Sequence, residues 1–220
     1  IKKSAYLYHI RNIVKKNMIV SGTVYLQVTR GVAKRDFKYP KDIKSSITII
    51  GKIISEDIFY KDIYNGINVK TTKDLRWKRC DIKSLNLLPP VLAKQHAYEN
   101  NSKEAWLIDD AGFITEGSSS TAWILDKNDV LRTSSLKNNI LPGITRETFL
   151  KGLSKYKIKF KETSFNIKDI RSAKEAFITS ATTFVTPVNM VDNIKIGNGK
   201  PGKFAPIFLD IYKKAIKSQI

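Results

Sequence analysis

Cysteine is almost absent from this chain: Cys80 stands alone among 220 residues. One thiol excludes an intramolecular disulfide framework and a multi-cysteine zinc site. It suits a reducing, cytoplasmic compartment, and no metal site is expected. Long apolar runs are absent as well. The densest, Ile47 to Ile54, is interrupted by Gly51 and Lys52, whereas a membrane span needs roughly 18 residues. No signal-peptide pattern is present, so no membrane partner is expected. Acidic residues are few: 20 Asp and Glu against 39 Lys and Arg leave a net charge of +19. Arginine is scarce within that basic total, 8 against 31 lysines. Nucleic-acid readers lean on arginine forks for base and phosphate contacts. The charge also avoids the middle of the chain. Residues 1–79 carry +12, residues 80–150 carry −2 and residues 151–220 carry +9. A solvated lysine-rich surface accounts for this, and no nucleic-acid partner is expected.

Hydrophobic residues make up 42% of the chain and charged residues 27%, ordinary globular usage that excludes disorder, collagen and a whole-chain coiled coil. Apolar spacing predicts a helix over Tyr6 to Asn17. Alternation predicts strands over Thr23 to Thr29, Ser46 to Ile54 and Asn68 to Thr72. Asp57 to Gly66 reads as a polar connection. Leu85 to Asn100 reads as a helix, with Pro89 and Pro90 confined to its first turn. Strands are predicted over Glu104 to Ile108, Thr121 to Leu125, Val130 to Thr133 and Ala176 to Thr179. Helices are predicted over Ile144 to Tyr156 and Pro206 to Ser218, with residues 192–203 a loop. The irregular alternation, with hairpins, predicts an α+β fold rather than a doubly wound parallel sheet.

Three segments carry chemistry together. Lys83 sits among small and apolar residues just before a helix, in Arg79-Cys80-Asp81-Ile82-Lys83-Ser84-Leu85-Asn86-Leu87-Leu88. An amine buried among apolar side chains gives up its proton more readily, and a neutral amine is what Schiff-base chemistry requires. Thr115-Glu116-Gly117-Ser118-Ser119-Ser120 places a carboxylate beside small residues that admit a flat ligand. Leu141-Pro142-Gly143-Ile144-Thr145-Arg146 leads into a helix N-terminus, a natural anion site. Thr179-Ser180-Ala181-Thr182-Thr183 adds further hydroxyls after a buried strand. Each segment alone has an ordinary structural explanation: a surface lysine, a Gly/Ser turn, an N-cap. Jointly they offer a lysine, a carboxylate for a pyridine nitrogen and a phosphate cradle, the parts that pyridoxal phosphate needs.

From Val24 to Asp192 the chain resembles the class IV, fold type IV, pyridoxal-phosphate aminotransferases, and most of all their D-amino acid branch. The resemblance rests on Tyr25-Leu26-Gln27-Val28-Thr29-Arg30-Gly31, Arg79 to Leu88, Val91 to Gln95, Thr115 to Ser120, and Asn138 to Arg146. It implies that Lys83 forms the Schiff base and moves a proton, and that Glu116 binds the pyridine nitrogen. It implies that Ile144 and Thr145 hold the phosphate with Thr182 nearby, that Leu141 packs on the ring, and that Ser118, Ser119 and Ser120 line the pocket. Arg35 would bind the substrate carboxylate, a task suited to a guanidinium fork. The implied reaction moves an amino group between a D-amino acid, of D-alanine or D-glutamate type, and a 2-oxo acid. The implied assembly is a homodimer.

The sequence departs from the branch at several points. Phe37 stands where a histidine is usual, Ala181 where serine is common, and Thr121 where asparagine is common. His9 and His96 match no family role and read as structural. Branched-chain aminotransferases and aminodeoxychorismate lyases share the fold and are the alternative. The branched-chain group typically carries Thr-Met-Asn where this chain has Ser118-Ser119-Ser120. Residues 1–57 are expected to be the remainder of a small N-terminal domain and residues 58–220 the large cofactor-binding domain. Because Ile1 opens in the middle of a helix-like segment, the front of the protein is expected to be missing, together with a phosphate-binding arginine and a tyrosine of the carboxylate trap. A fragment of that kind is expected to show doubtful activity on its own.

Overall fold

The computed structural model describes residues 2–137, 139–156 and 158–217. Ile1, Asn138 and Ser218, which the expectations above touch, lie outside the described residues. The chain divides into two compact units, Ile1–Phe59 and Tyr60–Ile220.

In the first unit, α1 (Lys3–Lys16) precedes an antiparallel pair, β1 (Gly22–Thr29) and β2 (Ser46–Ile53), in register from Gly22 opposite Ile53 to Thr29 opposite Ser46. Two strands and one helix enclose little volume, and none of the unit's described side chains is fully buried. The sequence signals for α1, β1 and β2 hold to within a few residues.

The second unit carries the core. Its helices are α2 (Glu56–Asn65, which begins before the division), α3 (Leu88–Glu99), α4 (Ile144–Leu153), α5 (Ile167–Arg171) and α6 (Phe204–Lys217). Its strands are β3 (Ile67–Lys73), β4 (Glu104–Ile108), β5 (Phe113–Gly117), β6 (Thr121–Leu125), β7 (Val130–Thr133), β8 (Lys159–Glu162), β9 (Phe165–Asn166), β10 (Glu175–Ser180), β11 (Phe184–Val191) and β12 (Ile194–Lys195). They form one mixed sheet in the order β8-β7-β6-β10-β11-β3-β4-β5-β9, with β12 paired to β11. Among the described residues only β11–β3, β3–β4 and β7–β8 run parallel, so the α+β reading holds over the doubly wound one. One apolar cluster joins Trp106, Ile114, Ile124, Phe165 and Ile178. A second joins Trp123, Phe149, Phe177, Phe208 and Ile211 and seats α4 and α6. A small cluster of Ala93, Ala97, Ala105 and Leu107 seats α3 on β4.

Two expectations change, and β11 is a strand that the sequence reading does not include. Asp57 to Gly66 is helical rather than a connection: Glu56 and Asp57 sit in its first turn, where the helix dipole favours acids, and Ile63 is buried. Gly66 at φ +72 ends it, and a Cβ there would meet Asn189 Oδ1 at 2.2 Å. β11 lacks a clear sequence signal because Pro187 lies within it; the proline is tolerated beside the register slip between Val188 and Met190. The first turn of the Leu85 to Asn100 segment forms only at Leu88, where the prolines preset the backbone; the residues before it remain a loop.

Candidate active site

The most highly connected polar cluster lies at the end of β3 and on β5. Trp106 faces Gly117 and Ile108 faces Ile114, so Thr115 and Glu116 together stand opposite the single Leu107. A bulge of this kind re-aims adjacent side chains, and here both reach the guanidinium of Arg76. Arg76 donates Nε to Asp74 Oδ1 at 2.9 Å and Nη2 to Asp74 Oδ2 at 2.7 Å. Its Nη1 donates to Glu116 Oε1, and Nη2 also reaches the Asn139 carbonyl at 3.0 Å. Thr115 donates its hydroxyl to Asp74 Oδ2 at 2.8 Å. The Leu141 N–H donates to the same Glu116 oxygen at 3.2 Å.

These contacts set the charges. Burial works against all three. It pushes the Glu116 carboxyl up, and Arg76 pulls it only part of the way back, so it stays above the ordinary carboxyl range. For Asp74 the hydrogen bonds and charge of Arg76 outweigh burial and hold it below its ordinary value. The two carboxylates likewise outweigh burial at Arg76 and hold its guanidinium above its ordinary value. Two carboxylates against one guanidinium leave the cluster one negative charge in excess.

A second buried carboxylate stands close by in sequence. Glu104, at the start of β4, is 1% exposed. Its Oε1 accepts from Ser118 Oγ and from the Ala105 N–H, and its Oε2 accepts from Ser119 Oγ at 3.1 Å and Ser120 Oγ at 3.0 Å. Lys94 of α3 approaches at 3.3 Å. The turn that links β5 to β6 is tight: the Gly117 N–H bonds the Ser120 carbonyl at 2.7 Å, and a Cβ on Gly117 would meet Ser120 Oγ at 2.2 Å.

The structure thus brings Glu116 and Leu141 into contact, with Ser118, Ser119 and Ser120 directly after Glu116. Three residues beyond Leu141, α4 begins at Ile144 with Gly143 as N-cap and no side-chain cap. Its first N–H groups are therefore free of a capping side chain. Thr145 is buried and accepts from the Tyr212 hydroxyl at 3.5 Å. Tyr212 in turn meets the Phe184 ring, centroid to centroid 5.6 Å. Phe184 follows the turn in which the Ser180 hydroxyl binds Thr182 and Thr183. Thr182 itself is exposed.

Lys83 differs from expectation. It lies in the loop before α3 and is exposed, not buried. Its apolar neighbours Ile82, Leu85 and Leu87 are exposed as well. Arg35 belongs to the first unit, where its guanidinium lies 5.8 Å from the ring of the exposed Phe37. Asp74, Arg76 and Glu104 belong to no motif that sequence singles out. Only the Asp-x-Arg spacing hints at the first two.

The residues present fit pyridoxal phosphate. Both described hydrogen bonds to Glu116 fall on Oε1, which leaves Oε2 as an acceptor for a ring N–H. A protonated pyridine nitrogen would also balance the cluster's excess negative charge. The uncapped start of α4 suits a phosphate. Among the described residues no group of His, Cys, Asp and Glu suits a metal ion.

Comparison with known proteins agrees. The family model for amino-transferase class IV matches residues 2–191. A D-alanine aminotransferase of Staphylococcus aureus (strain MSSA476) is 40% identical over 210 residues, 94% of this chain and 73% of its own length. In fold, a T.th. branched-chain amino acid aminotransferase with pyridoxamine 5'-phosphate superposes with a TM-score of 0.86, at 21% identity, over 100% of this chain and 73% of that one. The Escherichia coli branched-chain enzyme gives a TM-score of 0.83 at 21% identity, over 94% and 70%. With its fold, its bulge-borne carboxylate and a family match across most of its length, the chain belongs to the class IV aminotransferases, enzymes that transfer amino groups with pyridoxal phosphate.

Proposed function

We propose that the protein moves an amino group between a D-amino acid, of D-alanine or D-glutamate type, and a 2-oxo acid. The 40% identity to D-alanine aminotransferases over 94% of the chain carries the substrate class. Pyridoxal phosphate, when bound, supplies an electron sink that makes a substrate Cα–H acidic. The chain's own residues do the rest. Lys83 would hold the cofactor through its amine and, once the substrate amine has displaced it, its freed amine would take and return the Cα proton. Glu116 accepts the pyridine N–H on Oε2, with Arg76 and the Leu141 N–H fixing its other oxygen. Leu141 packs on the ring. The N–H groups of Ile144 and Thr145, with Thr182, bind the phosphate. Ser118, Ser119 and Ser120 line the pocket, and Arg35 binds the substrate carboxylate.

In this reading residues 1–57 are the remainder of the small domain and 58–220 the large cofactor-binding domain. The assembly is a homodimer. What supports it is the exposed apolar run Ile82, Leu85, Leu87, Leu88, Val91 and Leu92 around Lys83, more apolar surface than a free loop and helix start usually leave in water. A second copy laid over it would supply the desolvation that Lys83 lacks. The lone thiol of Cys80 supports a reducing, cytoplasmic location.

Borohydride reduction and peptide mapping test the mechanism: a pyridoxyl label is expected on Lys83. A label on another lysine overturns it. D-Alanine is expected to react as amine donor with pyruvate or 2-oxoglutarate as acceptors. Reaction with L-leucine alone would replace this reading with a branched-chain one.

A further inference from the structure

The seryl turn is the part of the site whose chemistry its partners fix most tightly. A carboxylate only accepts hydrogen bonds, and a serine hydroxyl carries one proton and two lone pairs. Ser118, Ser119 and Ser120 all point at the oxygens of Glu104. Each therefore directs its single proton inward. The Ser120 side chain is buried, while Ser118 is half-buried and Ser119 exposed. The outward face of the turn then presents lone pairs from Ser118 and Ser119 and no hydroxyl proton. These hydroxyls can receive an N–H and cannot themselves donate to a carboxylate, a phosphate or a ketone oxygen.

Two backbone N–H groups of the turn are paired. The Ser118 N–H is taken by the Ala105 carbonyl at 2.9 Å and the Gly117 N–H by the Ser120 carbonyl. Glu104 cannot turn away, because it is 1% exposed and its Oε1 also holds the Ala105 N–H at 2.8 Å. Lys94, half-exposed, forms an ion pair with Glu104 Oε1 at 3.3 Å.

We propose that Glu104 is a positioning residue that orients the protons of Ser118 and Ser119 inward, so that their outward lone pairs receive the amino group of the incoming amino acid. This rests on the transaminase reading above and adds to it the determinant that favours the amine-bearing partner. Glu104 touches neither substrate nor cofactor; it acts through the two serines. A glutamine at this position would donate from its amide nitrogen to at least one serine, release that hydroxyl proton outward and reverse the preference.

The test uses two achiral acids of one shape, N,N-dimethylglycine, whose tertiary ammonium carries one N–H, and 3-methylbutanoate, which carries none. A tertiary amine cannot condense with the cofactor's carbonyl, so neither acid exchanges with Lys83 or turns over. Their dissociation constants are read by spectral titration of the cofactor-loaded protein, so the readout is binding rather than activity. E104Q is expected to weaken N,N-dimethylglycine about tenfold, the net contribution of one charged hydrogen bond, while 3-methylbutanoate binds equally well or more tightly. S118A/S119A, which removes both hydroxyls, is expected to weaken the amine-bearing acid similarly. Adding E104Q to it should then change nothing further, because the serines through which Glu104 acts are gone. Equal weakening of both acids by E104Q, or an unchanged ratio in S118A/S119A, overturns the proposal. If E104Q does not fold, S118A/S119A decides alone. The probes are achiral, so a D- or L-specific donor does not affect the result. A wild-type protein that takes no label on Lys83 contradicts the transaminase reading instead.

Discussion

Removing Arg76 should unmask two buried carboxylates at once. Arg76→Met keeps the length of the side chain and deletes the fork that binds Asp74 through Nε and Nη2 at 2.9 and 2.7 Å and Glu116 through Nη1. Arg76, Asp74 and Glu116 retain 12%, 11% and 6% of their side-chain exposure, so water replaces little of what is lost. Breaking a buried pair by removing one partner costs about 3–5 kcal/mol. With a urea dependence of about 2–3 kcal/mol/M, the unfolding midpoint should fall by about 1–2.5 M at pH 7.5. Tryptophan fluorescence is the appropriate probe, since Trp77, Trp106 and Trp123 all lie in the second unit.

The pH dependence separates this cause from simple loss of packing. In the native protein the Asp74 carboxyl is held low, so its stabilisation is present above its unfolded value and is lost as pH falls through the folded one. Without the Arg76 guanidinium, burial is opposed only by the donors that remain, the Thr115 hydroxyl and the residue 76 N–H on Asp74 and the Leu141 N–H on Glu116, and both carboxyls rise. A raised carboxyl favours the fold only below its unfolded value, about pH 4, and that advantage is lost as pH rises through the folded value. The variant's deficit should therefore be small near pH 4 and grow toward pH 7.5. An equal deficit at both pH values would refute the electrostatic account of the cluster. Arg76→Lys should lie between wild type and Arg76→Met, because one ammonium cannot reproduce the planar fork.

Glu116→Gln should separate stability from function. Arg76 still has Asp74 as counter-charge, so the cofactor-free variant is expected within about 1 kcal/mol of wild type. Burial raises the Glu116 carboxyl, so any advantage of the amide should appear as pH rises through that value and vanish below about pH 4, as read by urea denaturation. The loaded variant should lose the absorbance of a protonated pyridine ring. Thr179→Val leaves the buried Trp123 indole N–H without its 2.9 Å acceptor and should cost about 1–3 kcal/mol in the same fluorescence-detected unfolding.

Much of the framework is legible in sequence because it is local. The alternation of Thr23 to Thr29, and the Leu-Pro-Pro entry to α3, depend only on neighbours a few residues apart. Where a local signal conflicts with context it misleads. The polar look of Asp57 to Gly66 hides Tyr60 and Ile63, which sit on the inward face of α2, and Pro187 hides β11. The family motifs identify Glu116 and the seryl turn, but they do not tell what holds either in place. Arg76 meets Glu116 across 40 positions, and Glu104 meets the serines across 14 to 16. A sequence window sees neither pairing, and a lone Glu at the start of a strand looks like a surface residue until the strand is found in the middle of a sheet.

The charge distribution gains a different meaning from these pairings. Residues 80–150 net −2 while both flanks are strongly basic, and this acidic centre is not a surface feature alone. Glu104 and Glu116 are buried in it, held by three hydroxyls and the Ala105 N–H for Glu104 and by one guanidinium and one N–H for Glu116. Lys83 lies in the same segment but is exposed, with apolar neighbours that are exposed too. Both carboxylates are thus held by contacts within the unit, against the penalty of desolvating them, whereas the amine of Lys83 is exposed. It follows that the contacts of the carboxylates should survive in an isolated chain, while burial of Lys83 requires a partner laid over the run from Ile82 to Leu92.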